Sequence, residues 1–266
     1  MRKMSKQEFD ALPVVEGRRQ CPGDTDYSDI HKFPRGCSFG MGCVFAESTT
    51  FGANCSFLPE CSFGAWCEFK EKCTFGLCCK FGEWSVFGRG CLFGMRCEFR
   101  QRCQIGGRCQ FEEECRFREG CEFDARCSFW RDCIFDSGCT FGKQCKFGPW
   151  GVFGSGAKFG DQCSFGERAS FQEWIVFGFG CVFENRKRAR TQNPYIAIDR
   201  AGSVLRKTYF FDFEGGIYVR SGCFFGTLKE FRQRVRDDGG TVKLLQYLGM
   251  ANIAAITFGR DDLLEA

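Results

Sequence analysis

The residues of this 266-residue chain best suited to chemistry are its 22 cysteines and its single histidine. A thiol can be a nucleophile, a metal ligand or half of a disulfide, and its spacing and ionisation decide which. Here the spacing argues against all three. Nineteen cysteines fall on one six-residue grid between Cys37 and Cys181. A zinc site needs convergent pairs of the Cys-x-x-Cys kind, and a secreted disulfide framework is usually short and irregular. The Cys78-Cys79 doublet is no substitute, because adjacent residues on a strand face opposite sides. The expectation is reduced thiols acting as small apolar side chains. It carries with it no metal, no cofactor and a cytoplasmic location. Cys21 and Cys223, off the grid, read as buried residues of the ends. His31 rules out any mechanism needing two imidazoles, and its place ahead of the repeat suits a structural role.

Around the cysteines, residues 37–186 repeat every six residues without insertion or deletion, giving 25 hexads of the form Cys-x-Phe-Gly-x-x. The third position is Phe in 24 hexads, with Ile105 the exception. The first position is otherwise Thr49, Ser85, Gly151, Ala157, Ala169 or Ile175, five of which are small. A period of six does not suit a helix. It suits short extended segments joined by turns, in which residues two apart share a face. First and third positions therefore point inward, and the mostly polar second position points outward. The fourth position is Gly in 14 hexads, where the chain turns a corner and a side chain would obstruct.

Read from its Phe, the unit Phe-Gly-x-x-Cys-x resembles the hexapeptide motif of left-handed parallel β-helices. In that family three hexads form one triangular coil. The resemblance implies an all-β solenoid of about eight coils. Phe stands here where the family usually has Leu, Ile or Val. A partial test of the three-hexad period lies in the columns it creates. One column, from Cys37 to Cys181, is Cys at nine of nine positions, against six of eight and four of eight in the other two. A four-sided coil similar to that of pentapeptide-repeat proteins is the alternative.

The ends differ from the repeat. Residues 1–36 read as an N-terminal cap, with a capping box at Ser5-Lys6-Gln7-Glu8, a turn at Cys21-Pro22-Gly23-Asp24, and Tyr27, Ile30 and Phe33 available to cover the first coil. Residues 187–200 form a basic connector. Residues 201–266 form a small α+β domain. Within it, residues 203–213 alternate, with Leu205, Tyr209, Phe211 and Phe213 on one side. Glu214-Gly215-Gly216 turns into a hairpin partner at 217–220. Thr227 opens a helix through about Arg236, and Thr241 caps a last helix bearing Leu244, Leu245, Leu248 and Ile253. The stretch Gly215-Gly216-Ile217-Tyr218-Val219-Arg220, continued by Gly222-Cys223-Phe224-Phe225-Gly226-Thr227-Leu228, resembles a tail of uncharacterised phage and prophage proteins that also carry Cys-Ser-Phe-Gly hexads. This implies a phage-borne protein, placed in the host cytoplasm, and no activity.

Three functions compete. Hexapeptide β-helix proteins are commonly acyltransferases, which resemble one another in a basic His at a cleft. Here no loop interrupts the hexads and His31 precedes them. A nucleic-acid ligand or DNA mimic needs a one-signed surface, whereas residues 37–186 carry 18 acidic and 17 basic side chains. A basic column of Lys72, Arg108 and Arg126 is interrupted by Gly90 and Gln144, and Arg96, Glu114 and Asp132 stack as opposite charges. Nucleic acid is therefore an unfavoured partner. The reading preferred is a non-catalytic scaffold binding a protein partner, with a homo-oligomer as a further option. Its candidate face is the column of Trp66, Trp84, Arg102 and Trp174, residue types enriched at contact hot spots. The start, Met1-Arg2-Lys3-Met4-Ser5-Lys6, lacks the apolar stretch of a secretory signal, and no run approaches the roughly 18 apolar residues of a membrane span.

Overall fold

The computed structural model describes residues 1–172, 174–178, 180–183, 187–188, 195–201, 206–221, 224–238 and 241–264. The chain divides into two compact units, Met1–Gly178 and Phe179–Ala266.

The first unit is a parallel β-solenoid, and the chain makes about nine coils in all. Each hexad after the first contributes a two-residue strand at its second and third positions, such as Ser62–Phe63, Glu68–Phe69 and Thr74–Phe75, and the first contributes Cys37–Phe39. Consecutive strands go to three different sheets, and each pairs in parallel with the strand three hexads on: Phe63 with Phe81, Phe69 with Phe87, Phe75 with Phe93. That register makes the coil three-sided and excludes the four-sided alternative. Backbone donors knit the coils together, with Lys80 N–H to Cys61 O at 2.9 Å and Gly82 N–H to Phe63 O at 2.9 Å.

The interior is a lattice of phenyl rings. Rings one coil apart stack nearly parallel, as Phe57 on Phe75 at 5.0 Å and 2°. Rings on neighbouring walls meet edge to face, as Phe57 and Phe63 at 5.0 Å and 89°. Both arrangements set the positive ring edge or an offset against the negative ring face. The one aliphatic site disturbs the order. Beside Ile105, Phe99 lies 19° off Phe81 and 17° off Phe117.

The corners divide two jobs between the fourth and sixth positions. At the fourth position, a Cβ on Gly52 would lie 2.4 Å from the Arg35 nitrogen, and one on Gly82 would lie 2.4 Å from the Ala65 nitrogen. Glycine is there because the coil beneath comes too close. Left-handed backbone falls instead on the sixth position, where every residue from Gly42 to Gly180 has φ between +56° and +72°. There the amide donates forward, Trp84 N–H to Gln101 O of the next coil at 3.0 Å. Most of these residues are not glycine, and each such backbone costs roughly 1–2 kcal/mol.

The thiols are more than small apolar groups. None of the 21 described cysteines forms a disulfide, and those on the grid are buried. Their sulfurs lie within donating distance of the fourth-position carbonyl one coil back: Cys61 to Gly40 O at 3.4 Å, Cys109 to Gly88 O at 3.4 Å, Cys163 to Gly142 O at 3.4 Å. Several also reach the carbonyl of their own corner, as Cys61 does Leu58 O at 3.1 Å, and the two hydroxyls at this position do the same: Thr49 to Ala46 O at 2.8 Å and Ser85 to Gly82 O at 2.9 Å. The site selects a small side chain, and where that side chain has a donor a corner carbonyl accepts from it. Cys79 is buried and Cys78, at a left-handed corner between strands rather than on one, is half-buried.

The coil starts before the hexads do. Arg19 pairs with Cys37, Cys21 with Phe39, and Phe33 with Phe51, so residues 19–36, read above as cap, form a first coil. Cys21, Tyr27 and Phe33 take its large inward positions and are buried. What lies ahead of them is the helix Lys6–Asp10, with the capping box at Ser5 and Glu8. Phe9 meets Phe33 edge to face at 5.2 Å. Arg19 stands where a cysteine would. Its guanidinium lies 5.0 Å from the Phe9 ring centre and donates to the carbonyls of Phe9 and Asp10, at 2.9 and 2.7 Å.

In the second unit, strands Tyr195–Ala201, Arg206–Phe213, Gly216–Ser221 and Phe224–Thr227 form an antiparallel sheet in that order. The hairpin turns at Gly215 and Gly216, both at positive φ. Alternation undercounts what is buried here, because both faces are covered from Thr208 to Phe213. Phe210 joins Ile217 and Val219 in a core with the helices Leu228–Asp237 and Thr241–Thr257. On the other face, Phe211 and Phe213 pack on Phe183, the last phenyl of the repeat, at 5.7 and 5.3 Å. Thr227 and Glu230 complete their capping box. The last helix buries Tyr247, Ala251, Ala254 and Ala255, while Leu245 and Ile253 face solvent. Leu205 and Cys223 lie outside the described residues.

Candidate functional site

The sixth hexad position builds the candidate face. Its left-handed backbone holds each side chain at a corner, and stacking coil upon coil turns a corner into a column. Trp66 and Trp84 lie face to face at 5.2 Å, 3° from parallel. The Arg102 guanidinium continues the pile 4.8 Å from the Trp84 ring centre. Both contacts are of kinds that need no burial to form: ring stacking and a cation on a π face. Trp66 is 56% exposed, so the ladder is a surface object. Trp174 shares the column but not the ladder. Gly120, Gly138 and Gly156 separate it from Arg102, and it stands 81% exposed.

The basic column behaves differently. Arg126 donates from Nε to the Gln144 side chain at 2.9 Å, and Gln144 to the Gln162 side chain at 2.8 Å. Arg126 thus heads a polar ladder with the residue that breaks the charge run. Arg108 lies one coil before it, and Lys72 is set apart by Gly90. At the third corner, Arg96 and Glu114 pair at 2.8 Å, while Asp132 has Arg131 at 3.8 Å. No family model, no curated protein and no solved structure matches the chain. The site therefore rests on its own geometry.

That geometry contains one pair which the sequence reading passed over. Trp150 and Arg168, one coil apart on the third corner, form a second cation–π contact at 4.5 Å. The signal was present: both are sixth-position residues three hexads apart, as Trp84 and Arg102 are. His31 is exposed on the first coil, where its carbonyl accepts from Thr50 N–H at 2.9 Å. Among the described residues no three His, Cys, Asp or Glu side chains converge as a metal site requires. No described helix is long and apolar enough to cross a membrane. Burial pushes the Cys67 thiol up to about 11, which suppresses the thiolate that nucleophilic or ligand chemistry needs.

Proposed function

We propose that this protein is a non-catalytic β-solenoid scaffold that engages a protein partner through the ladder of Trp66, Trp84 and Arg102. The observation that carries the reading is the placement of two indoles in left-handed backbone at an exposed corner. Glycine fills six of the equivalent corners at no conformational cost. Tryptophan there bears strain and adds nothing to the phenyl core. A contact surface accounts for it, since Trp and Arg dominate interface hot spots. Described cysteines without a disulfide suit a reducing compartment. The finer resemblance, to left-handed hexapeptide β-helices and to phage and prophage proteins, supports a scaffold working in the cytoplasm of a host.

The test is affinity capture from host cells with the intact chain and with Trp66→Ala/Trp84→Ala, read by quantitative mass spectrometry. The expected result is loss of a specific partner by the variant while its melting curve stays cooperative. Retention of every partner by a folded variant removes the ladder from the function. Turnover of an acyl-CoA would put the acyltransferase reading in its place. A duplex-DNA isotherm that weakens steeply with salt would do the same for the nucleic-acid reading.

A further inference from the structure

A second surface lies on a different corner. The fourth-position column that carries Leu58, Gly76, Gly94, Glu112 and Trp130 is flanked by Pro59, Leu77 and Met95 on one side and by Thr74, Leu92 and Gln110 on the other. All of these but Leu58 line a groove of about 400 Å³, the two glycines and Trp130 among them. Leu58, Leu77, Leu92 and Trp130 are all exposed, as is Met41, one coil before Pro59. Scattered apolar side chains on a surface need no explanation, whereas a contiguous set marks a contact site. The contrast within the unit is direct. A larger groove of about 580 Å³ on another wall is lined by Glu98, Arg100, Arg118, Glu119 and Asp136, with Arg118 and Asp136 paired at 3.4 Å.

The end of the apolar groove carries a sign. Glu113 pairs with Arg131 at 3.0 Å and Glu114 with Arg96 at 2.8 Å, but Glu112, their neighbour in the chain, makes no ion pair among the described residues. One coil on, Trp130 is 59% exposed. The indoles of Trp84 and Trp150 each hold an arginine from the next coil. The equivalent place beside Trp130 belongs to Gly148, which has no side chain to supply. A carboxylate and an uncovered indole side by side form half of a cation site.

We infer that this groove docks an amphipathic extended segment of a protein partner, its aliphatic side chains over Gly76 and Gly94 and a lysine or arginine between Glu112 and Trp130. The surface is separate from the tryptophan ladder and does not depend on it.

Three labelled peptides of equal length test this on the full chain by fluorescence anisotropy: alternating Leu/Lys, alternating Leu/Glu and alternating Ser/Lys. The Leu/Lys peptide is expected to bind at least about tenfold tighter than the others, a difference of about 1.4 kcal/mol. Leu77→Ser/Leu92→Ser should remove that preference. Glu112→Lys should reverse it toward Leu/Glu, a gain of binding that misfolding cannot imitate. Trp66→Ala/Trp84→Ala should leave it unchanged. Equal binding of Ser/Lys, or Leu/Lys binding indifferent to the groove variants, overturns the inference. So does self-association in sedimentation velocity that Leu92→Ser abolishes, since the occupant would then be a second copy of the chain.

Discussion

The indole of Trp66 lies 5.2 Å from that of Trp84, with the two planes 3° from parallel, although a full coil of chain separates them. The contact exists because two short strands register one coil apart and both residues take the same left-handed corner. On its far side Trp84 receives Arg102 at 4.8 Å. A double-mutant cycle between Trp84→Ala and Arg102→Ala, measured by denaturant unfolding, is expected to give a coupling of about 0.5–1 kcal/mol. Strict additivity would mean that the guanidinium is merely near the ring.

Two glycine substitutions should separate close approach from backbone conformation. Gly82→Ala puts a Cβ 2.4 Å from backbone atoms of the coil beneath, and Gly156→Ala meets nothing within 4 Å but sits at φ +72°. The first is expected to cost more than about 2 kcal/mol, since backbone must move. The second should cost about 1 kcal/mol, the strain its non-glycine neighbours already bear. Equal losses in thermal unfolding would contradict this division of labour.

Ile105→Phe should restore the ring lattice. Stacked rings elsewhere in the Ile105 column sit between 4.8 and 5.2 Å apart, and Phe99 tilts beside the aliphatic gap. The variant is expected to gain about 1 kcal/mol from added apolar burial and stacking. A lower melting temperature would show that the surrounding rings have already closed the space.

Alkaline pH should destabilise the solenoid. Burial raises the Cys67 thiol from its ordinary value of 9.0 to about 11. Below pH 9 folded and unfolded chains both keep this proton and the stability is complete. Between pH 9 and about 11 the unfolded chain releases the proton and the folded chain holds it, so stability falls as pH rises. Denaturation midpoints taken from pH 7 to 11 should decline over that window. In the same samples at neutral pH, peptide mapping after iodoacetamide should find Cys78 alkylated well before Cys67, because Cys78 is partly open to solvent and Cys67 is buried. Equal rates would mean that the coils open readily.

Removing Arg19 should loosen the first coil. It holds the carbonyls of Phe9 and Asp10 and covers the Phe9 ring. Arg19→Ala is expected to cost roughly 2–3 kcal/mol from its charge-assisted hydrogen bonds, and to speed amide hydrogen exchange over residues 4–12 first. Unchanged exchange there would place the anchoring of the helix elsewhere.

Much of the architecture was legible in the chain itself. A grid of Phe and Cys two apart, unbroken for 25 hexads, dictates which side chains point inward, because strand geometry leaves no other choice. The three-hexad columns likewise brought Trp66, Trp84 and Arg102 together before any coordinates did. Tertiary structure decided what the pattern left open. It closed the coil with three walls, because the strand pairing joins every third hexad. It put left-handed backbone at the sixth position, which the pattern had not singled out, while the fourth keeps its glycine because the space beneath it is filled by the coil below. It drew residues 19–36 into the first coil despite their lack of the motif, since Tyr27 and Phe33 supply the same inward bulk. It also decided which exposed rings find a cation and which do not. That depends on the side chain one coil away, a neighbour in space that a linear reading meets only three hexads later.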